Sequence, residues 1–193
     1  ALEMRDLVSI YGGFAGTETS PEGRADGVKS TVDGEDCGYG GFSLTHASGE
    51  TLIERLEIVD TLTRPITKTG NGDLTVKDCR ISASGANSRG IYASGSAASS
   101  KVVITNCVVE NCVDPNSGGT TLDGQCGIVL ENLKFAHIVD TAIASNGLNI
   151  AVISDGPART KSSGVALYLN AVSGVVERCA IINNRYTKHV DGV

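Results

Sequence analysis

The sequence predicts an all-β chain that winds into a parallel β-helix, a solenoid of about six to eight coils. One phrase recurs, with the pattern apolar, x, apolar, x, x, Cys or Leu, x, apolar; its clearest copies are DLTVKDCRIS at 73–82 and KVVITNCVVENC at 101–112. The sixth positions of six copies fall at 56, 79, 107, 133, 153 and 179, which gives spacings of 20 to 28 residues. A bounded period of this length with strand-like alternation is typical of a solenoid in which each repeat forms one turn.

The composition supports thin, regular layers within a single domain that spans residues 1–193. Aromatic residues make up only 4% of the chain, and Trp is absent, so Val, Ile, Leu, Ala and Cys must build the core. The 24 glycines against four prolines indicate many turns. At 193 residues the chain is long enough to bury a substantial core.

In most coils a second strand is predicted just before the recurring phrase. The pairs of segments, in chain order, are 42–50 with 51–59, 66–72 with 73–79, 90–96 with 101–107, 142–147 with 148–153, and 164–170 with 172–179. The fourth copy, with Ile128, Leu130, Leu133 and Phe135, matches the phrase without such a partner. Each coil would then offer its neighbour the same shape about 4.8 Å away, which explains why the phrase recurs.

Two polar stretches break this order and are predicted to leave the helix as loops. The segment 15–30 reads AGTETSPEGRADGVKS and lies between the similar phrases IYGGF at 10–14 and GYGGF at 38–42. The second excursion, 113–126, contains DPNSGGTTLDGQ, the longest stretch without periodicity.

The charge pattern excludes several kinds of partner. Sixteen basic and 22 acidic side chains give a formal net charge of −6, and no Lys/Arg cluster interrupts it, so nucleic acid is not an expected partner. No apolar run approaches the roughly 20 residues that a membrane span requires.

The opening ALEMRDLVSI has neither a signal-peptide core nor an initiator Met, so we expect a processed or excised segment of a longer chain.

The chain resembles a family of bacterial right-handed parallel β-helix repeat proteins with the pectate-lyase-like fold, which includes relatives of the polymorphic outer-membrane proteins. The resemblance rests on VSIYGGFAGTETS at 8–20, on STVDGED at 30–36 and on the serial phrases of the type GIYASG…VVITNCVVEN. It implies right-handed winding and an extracellular or cell-surface location. It also implies a role in adhesion, although other members of this fold cleave acidic polysaccharides.

Five of the six cysteines divide into two groups. Cys79, Cys107 and Cys179 occupy the inward position of the phrase and are predicted to be stacked core thiols, with Cys179 three coils beyond Cys107. Cys112 and Cys126 flank the second loop, where a disulfide would join its two ends; for an extracellular chain, the sequence leaves a disulfide and two free thiols equally open. Cysteine spacing gives no zinc site, so no metal is expected from these residues.

Four charged residues form the one grouping that could carry chemistry. The phrase places Glu54 beside Lys77 and Glu57 beside Arg80 on neighbouring strands, where opposite charges ordinarily form surface pairs. A polysaccharide lyase of this fold would instead use Lys77 or Arg80 as a base near acidic calcium ligands. No other catalytic motif is present, and no cofactor is expected unless the chain is a lyase, which would need calcium.

Three functions are therefore compatible with the sequence. The preferred one is a non-catalytic extracellular module, an adhesin or carbohydrate-binding domain whose partner is a glycan or a surface protein. The second is a carbohydrate-active enzyme, a polysaccharide lyase or hydrolase with its site on the outward face. The third is a structural filament or spacer that self-associates end to end or through a side face.

Overall fold

In a computed structural model, the described residues are 2–4, 8–24, 26–34, 41–45, 48–84, 89–114, 126–149 and 166–187. These residues form strands, turns and bends, with one short 3-10 turn at Pro21–Gly23 and no α-helix among them. The strands are β1 (Leu2–Met4), β2 (Ile10–Tyr11), β3 (Ser30–Asp33), β4 (Phe42–Leu44), β5 (Glu50–Glu54), β6 (Leu56–Thr61), β7 (Ile66–Lys68), β8 (Asp73–Lys77), β9 (Arg80–Ser84), β10 (Arg89–Ser94), β11 (Lys101–Thr105), β12 (Val108–Asp114), β13 (Cys126–Val139), β14 (Ala142–Ala144), β15 (Gly147–Asn149), β16 (Leu167–Glu177), β17 (Ala180–Ile182) and β18 (Arg185–Thr187).

The strands pair in parallel, and each strand from β1 to β10 pairs with the strand three elements further along the chain. Further on, β11 pairs with β13, and β12 pairs with β14 and β15. One curled sheet has ten strands and the other has eight. We call β1, β4, β7, β10 and the first part of β13 and β16 the first stack, and β2, β5, β8, β11 and the remainder of β13 and β16 the second stack. The third stack contains β3, β6, β9, β12, β14 and β17. This all-parallel order is compatible with a β-helix-like fold.

Alternation along each strand sends one set of side chains inward. In β8, Leu74 and Val76 are buried whereas Thr75 and Lys77 are partly or fully exposed, as expected for successive residues of a strand. The register places like residues above one another, and one fully buried column of the second stack contains Ile53, Val76, Ile104 and Ile138. Columns of this kind form the apolar core, so the recurring phrase reflects the need of each strand to pack against its neighbours.

A single left-handed residue turns the chain from the second stack to the third. The residues at this bend have φ between 49° and 57° and are Arg55, Asp78, Asn106, Asp140 and Arg178. Asp and Asn tolerate this conformation better than most residues. The bend explains the two unpatterned positions in the phrase, because DLTVKDCRIS contains all of β8, the bend at Asp78 and most of β9.

The register corrects the predicted coil boundaries in the second half of the chain. Ile104 pairs with Ile138, not with a residue near Leu133, and Ile138 in turn pairs with Val176. Successive positions 53, 76, 104, 138 and 176 are therefore 23, 28, 34 and 38 residues apart. Residues 128–135 match the recurring phrase although they do not lie in the predicted place. They lie in the first part of β13, which pairs with β10 and continues from the first stack into the second without a break.

Other predicted segments also need correction or lie partly outside the described residues. Residues 142–144, predicted as a first strand, form β14 of the third stack and pair with β12. Of the predicted loop 15–30, residues 15–24 and 26–29 lie between β2 and β3, and Ser30 is the first residue of β3. Of the loop 113–126, residues 115–125 lie outside the described part of the chain, as do residues 150–153 of the predicted strand at 148–153.

The last set of strands leaves its inward side chains exposed. Leu169, Val176 and Ile181 occupy inward positions of the three stacks, yet they are 45%, 42% and 54% exposed. Their partners in the preceding strands, Leu130 and Ile138 among them, are fully buried. The core is thus closed in the middle of the stacks and open at this end of the described residues.

Candidate functional site

The structure brings Glu54 and Lys77 together, as their positions in the sequence predicted. Strands β5 and β8 place them opposite each other, and Lys77 Nζ donates to Glu54 Oε1 at 2.7 Å. Burial alone would raise the pKa of Glu54, but the hydrogen bonds from Lys77 and Arg24 outweigh it and hold that pKa below its ordinary value. The bond to Glu54 raises the pKa of Lys77. Lys77 is therefore held in its protonated form, which cannot accept a proton.

Arg24 completes this ion-pair network, although no pattern in the sequence singles it out. Its Nη2 donates to Glu54 Oε2 at 2.7 Å, and its Nη1 donates to the carbonyl of Gly12 at 3.0 Å. The guanidinium carbon lies 5.1 Å from the ring centroid of Tyr11 and 5.7 Å from that of Phe14. The loop that contains Arg24 thus packs against the outer face of the second stack and covers Glu54.

Arg80 belongs to a separate network on the third stack. Its Nη1 lies 2.6 Å from Glu57 Oε1, and its Nε donates to Glu110 Oε1 at 2.7 Å. The hydrogen bonds to Glu110 and then to Glu57 raise the pKa of Arg80. The four sequence candidates therefore form two ion-pair groups on either side of the bend at Asp78, not one convergent site.

The thiols of the described residues are largely sealed from solvent. Cys79 and Cys107 are buried and lie on adjacent strands, in the column of inward residues that directly follow the bend. Cys179 belongs to the same column and is half-buried. It lies two strands beyond Cys107, not three as predicted, because only Thr141 occupies a position between them. Cys112 and Cys126 are both buried with free thiols, and burial raises the pKa of Cys126 to about 12. Such thiols react slowly. A disulfide between Cys112 and Cys126 remains a prediction.

A cluster of polar and aromatic side chains lies instead on the outer face of the first stack. In register across four strands are Thr67, Tyr92, Val129 and Tyr168. Val129 is only 3% exposed although it points outward between the two tyrosines. Tyr92 and Tyr168 are both partly exposed and, two strands apart, are separated by about 10 Å.

Two arginines lie against Tyr92. The guanidinium carbon of Arg64 is 4.5 Å from the ring centroid and that of Arg89 is 5.0 Å away, within the range of cation–π attraction. The phenol of Tyr92 donates a hydrogen bond to Glu131 Oε2 at 3.1 Å. We call Arg64, Arg89, Tyr92, Glu131 and Tyr168 the Tyr92 cluster.

The Tyr92 cluster combines the groups that bind polar ligands. Aromatic faces supply contact area, and guanidinium and carboxylate groups supply directed hydrogen bonds. Among the described residues, no group of three or more His, Cys, Asp or Glu side chains could hold a metal ion. The aromatic, guanidinium and carboxylate groups of the cluster suit it to recognition by stacking and hydrogen bonding.

Sequence reasoning missed this cluster, although one signal was present. RPITK at 64–68 and RGIYA at 89–93 both place Arg two residues before the inward Ile of a first-stack strand. Aligning the first strands of successive coils, as the recurring phrase was aligned, would have stacked Arg64 on Arg89 and Thr67 on Tyr92.

Comparison of the chain with protein-family models, with curated proteins and with solved structures found no match in any of the three. Within the described residues, no helix has the length and apolar character needed to cross a membrane.

Proposed function

We propose that this chain is a right-handed parallel β-helix of a bacterial extracellular or cell-surface protein and that it binds glycans without cleaving them. The parallel order of the strands supports the helix, and parallel connections are right-handed in nearly all known cases. The surface location follows from the resemblance of its repeats, and of the segment 8–20, to bacterial β-helix proteins of the polymorphic outer-membrane type.

The observation that carries the glycan proposal is the Tyr92 cluster. Two partly exposed tyrosines point outward in register, with one buried Val129 between them, and charged groups lie beside the first. A flat aromatic ring can pack against the apolar face of a sugar while neighbouring charged groups bind its hydroxyls. The spacing of about 10 Å between the tyrosines suits two rings of one saccharide chain.

The absence of cleavage is supported by the ion pairs of the candidate base residues. Lys77 is bonded to Glu54, and Arg80 lies between Glu57 and Glu110. Bonds of this kind stabilise the charged forms, whereas a base at neutral pH needs an unprotonated group. A polysaccharide lyase that uses calcium remains the alternative to be tested against binding.

The test is affinity electrophoresis of the purified chain through gels that contain acidic or neutral polysaccharides. We expect retardation by at least one polysaccharide, and we expect Tyr92→Ala to weaken it about tenfold, because a central aromatic anchor typically contributes more than 1 kcal/mol to binding. Phe135→Ala is the matched control, since Phe135 is an exposed aromatic residue on the second stack.

The same polysaccharides are incubated with the chain and calcium, and unsaturated products are measured by ultraviolet absorbance. Absorbance that grows with calcium and disappears in Lys77→Ala or Arg80→Ala would establish a lyase and contradict the proposal. Retardation that is the same for Tyr92→Ala and wild type would place glycan binding elsewhere on the chain. No retardation and no product would contradict both functions and favour a structural role.

A further inference from the structure

The sequence contains two Asn-Gly pairs, and the structure places them in opposite environments. Asn71 and Gly72 lie in the bend between β7 and β8, where Asn71 is exposed. Asn146 directly precedes Gly147, the first residue of β15, and is fully buried. Asparagine is thermally labile, and it loses its side-chain amide most readily when glycine follows it. The two environments therefore decide which pair can react in the folded chain.

An Asn-Gly pair can react within its own backbone. The glycine nitrogen forms a bond to Cγ of the asparagine, the bond from Cγ to Nδ2 breaks, and ammonia leaves with the proton of the glycine amide. Water then opens the resulting cyclic imide at either carbonyl, which gives aspartate or isoaspartate. Glycine favours the attack because it has no Cβ to obstruct the approach of its nitrogen. The reaction consumes only water.

No hydrogen bond restrains the groups that would react in the bend. Within the described part of the chain, neither the side chain of Asn71 nor the backbone nitrogen of Gly72 is hydrogen-bonded. The bend is fixed only at its two ends, where the backbone nitrogens of Thr69 and Asp73 donate to carbonyls of the preceding coil at 2.9 and 2.7 Å. Rotation that brings the nitrogen of Gly72 to Cγ of Asn71 therefore breaks no strand pairing.

Asn146 is held firmly by comparison. Its Nδ2 donates to the carbonyl of Val109 and to Asn184 Oδ1, in both cases at 3.0 Å. Its Oδ1 accepts a hydrogen bond from the backbone nitrogen of Cys112 at 3.0 Å. The next residue, Gly147, lies in β15 between β12 and β18. Attack on Cγ of Asn146 would require these hydrogen bonds to break and β15 to separate from its neighbours.

We propose that Asn71 is a site of spontaneous deamidation in the folded chain, that Asn146 is protected, and that isoaspartate at position 71 loosens the bend around the buried Lys68. Lys68 Nζ donates to the carbonyl of Gly70, directly before Asn71, and to Ser100 Oγ at 3.2 Å. Isoaspartate runs the backbone through Cγ and adds one methylene. Between fixed ends, the longer bend displaces the Gly70 carbonyl from the ammonium.

The test follows deamidation in the full chain at neutral pH over several weeks. Trypsin then releases peptides 69–77 and 135–159, which contain one Asn-Gly pair each. Mass spectrometry measures the mass gain from replacement of the amide NH2 by OH. We expect peptide 69–77 to react at least about tenfold faster than peptide 135–159, because Asn146 reacts only after local opening of β15. In guanidinium chloride, both peptides are expected to react at similar rates.

Two results would overturn the proposed selectivity. One is an equal rate for the two peptides in the folded chain, and the other is deamidation of peptide 69–77 in the unfolded chain alone. Asn71→Gln is the control variant, because attack on the longer side chain forms a larger ring far more slowly. We expect the mass gain in peptide 69–77 to disappear in this variant, whereas the rate for peptide 135–159 stays at the wild-type level.

Thermal melting tests the effect on the bend around Lys68. Either product adds a negative charge, so ion exchange separates the reacted chain, and digestion identifies the fraction with isoaspartate. We expect this fraction to melt at least about 3 °C below the fresh chain, the shift for one lost hydrogen bond to a charged group. Asn71→Asp carries the charge without the added methylene and should melt close to wild type. Equal melting of the isoaspartate fraction and Asn71→Asp would contradict the effect on the bend.

Discussion

At the scale of single residues, the most unusual group is a lysine in the core. Lys68 points inward in a column of the first stack whose other members include Leu44, Ala93 and Leu130, and it is fully buried. Its ammonium donates to the carbonyls of Gly70 and Ser94 and to Ser100 Oγ. Burial lowers the pKa of Lys68 from its ordinary 10.5 to about 8, against a smaller raising effect of Asp73.

This lysine should make stability rise with pH. Below pH 8 both the folded and unfolded states are charged, and the cost of burying the ammonium is fully present. Between pH 8 and 10.5 the unfolded state binds more protons, so the free energy of unfolding increases by about 3 kcal/mol from this group. Urea unfolding across this range tests the effect.

The variant Lys68→Met isolates that contribution from other groups that titrate at high pH. We expect wild type to gain about 3 kcal/mol relative to Lys68→Met between pH 7.5 and 10.5. Lys101→Met removes a lysine from an exposed position and is the matched control for the loss of a positive charge. Parallel curves for wild type and Lys68→Met would show that the ammonium has an ordinary pKa.

At the scale of elements, the bends rest on residues in the left-handed region. Most are Asp, Asn or Ser, but Ala171, between the first-stack and second-stack parts of β16, has a φ of 52°. The register places it opposite Asn132 of β13, which has the same conformation. For Ala this conformation costs roughly 1 kcal/mol, whereas Gly adopts it without steric strain.

Ala171→Gly is therefore expected to stabilise the fold by about 1 kcal/mol. Ala180→Gly is the matched control, because Ala180 is an exposed residue in the extended strand β17, where Gly should cost roughly 0.5–1 kcal/mol. Urea denaturation of both variants measures whether each substitution raises or lowers the free energy of unfolding. Destabilisation by both would mean that the bend at Ala171 is not left-handed in solution.

Individual strands were predictable from the sequence, whereas their order across the sheets was less so. Leu74 and Val76 alternate with polar residues, so local pattern alone predicts β8. The position of Ile138 opposite Ile104 could not be read in this way, because Ile128 and Leu130 repeat the same alternation within one uninterrupted strand. Pattern does not distinguish a strand that continues into the next stack from one that begins a new turn.

The candidate site was harder to predict because its members are distant in the chain. Arg64, Tyr92 and Glu131 come together only through the register of β7, β10 and β13. Arg24 was equally hidden, since a polar loop gives no periodicity to show which face it covers. By contrast, the pairs of Glu54 with Lys77 and Glu57 with Arg80 followed from the recurring phrase, where each pair is one repeat apart.

At the scale of the whole molecule, burial depends on the position of a strand within its stack. Ile81 and Ile181 belong to the same inward column of the third stack, yet Ile81 is fully buried and Ile181 is 54% exposed. The surface removed from water, not the residue type, sets the stabilisation from an apolar side chain.

The same substitution should therefore have different effects at these two positions. Ile81→Ala is expected to destabilise the fold by about 2–5 kcal/mol, because it leaves a cavity between packed strands, whereas Ile181→Ala should cost less than about 1 kcal/mol. Denaturant unfolding of the two variants provides the measurement. Equal losses would mean that Ile181 is covered in solution, for example by self-association, which a concentration series would reveal.

The bend that follows the second stack has a consequence for how the chain can tolerate new sequence. It consists of one left-handed residue, such as Asp78 or Asn106, and the next residue, Cys79 or Cys107, already points inward. The length of this bend is constant along the chain. The connections between the first and second stacks vary, from 95–100 before β11 to none within β13. Peptides inserted at the exposed residues 97–99 would thus be accommodated, because Gly70 and Ser100 would still bind Lys68. An insertion beside Cys79 or Cys107 would instead shift every later strand out of register.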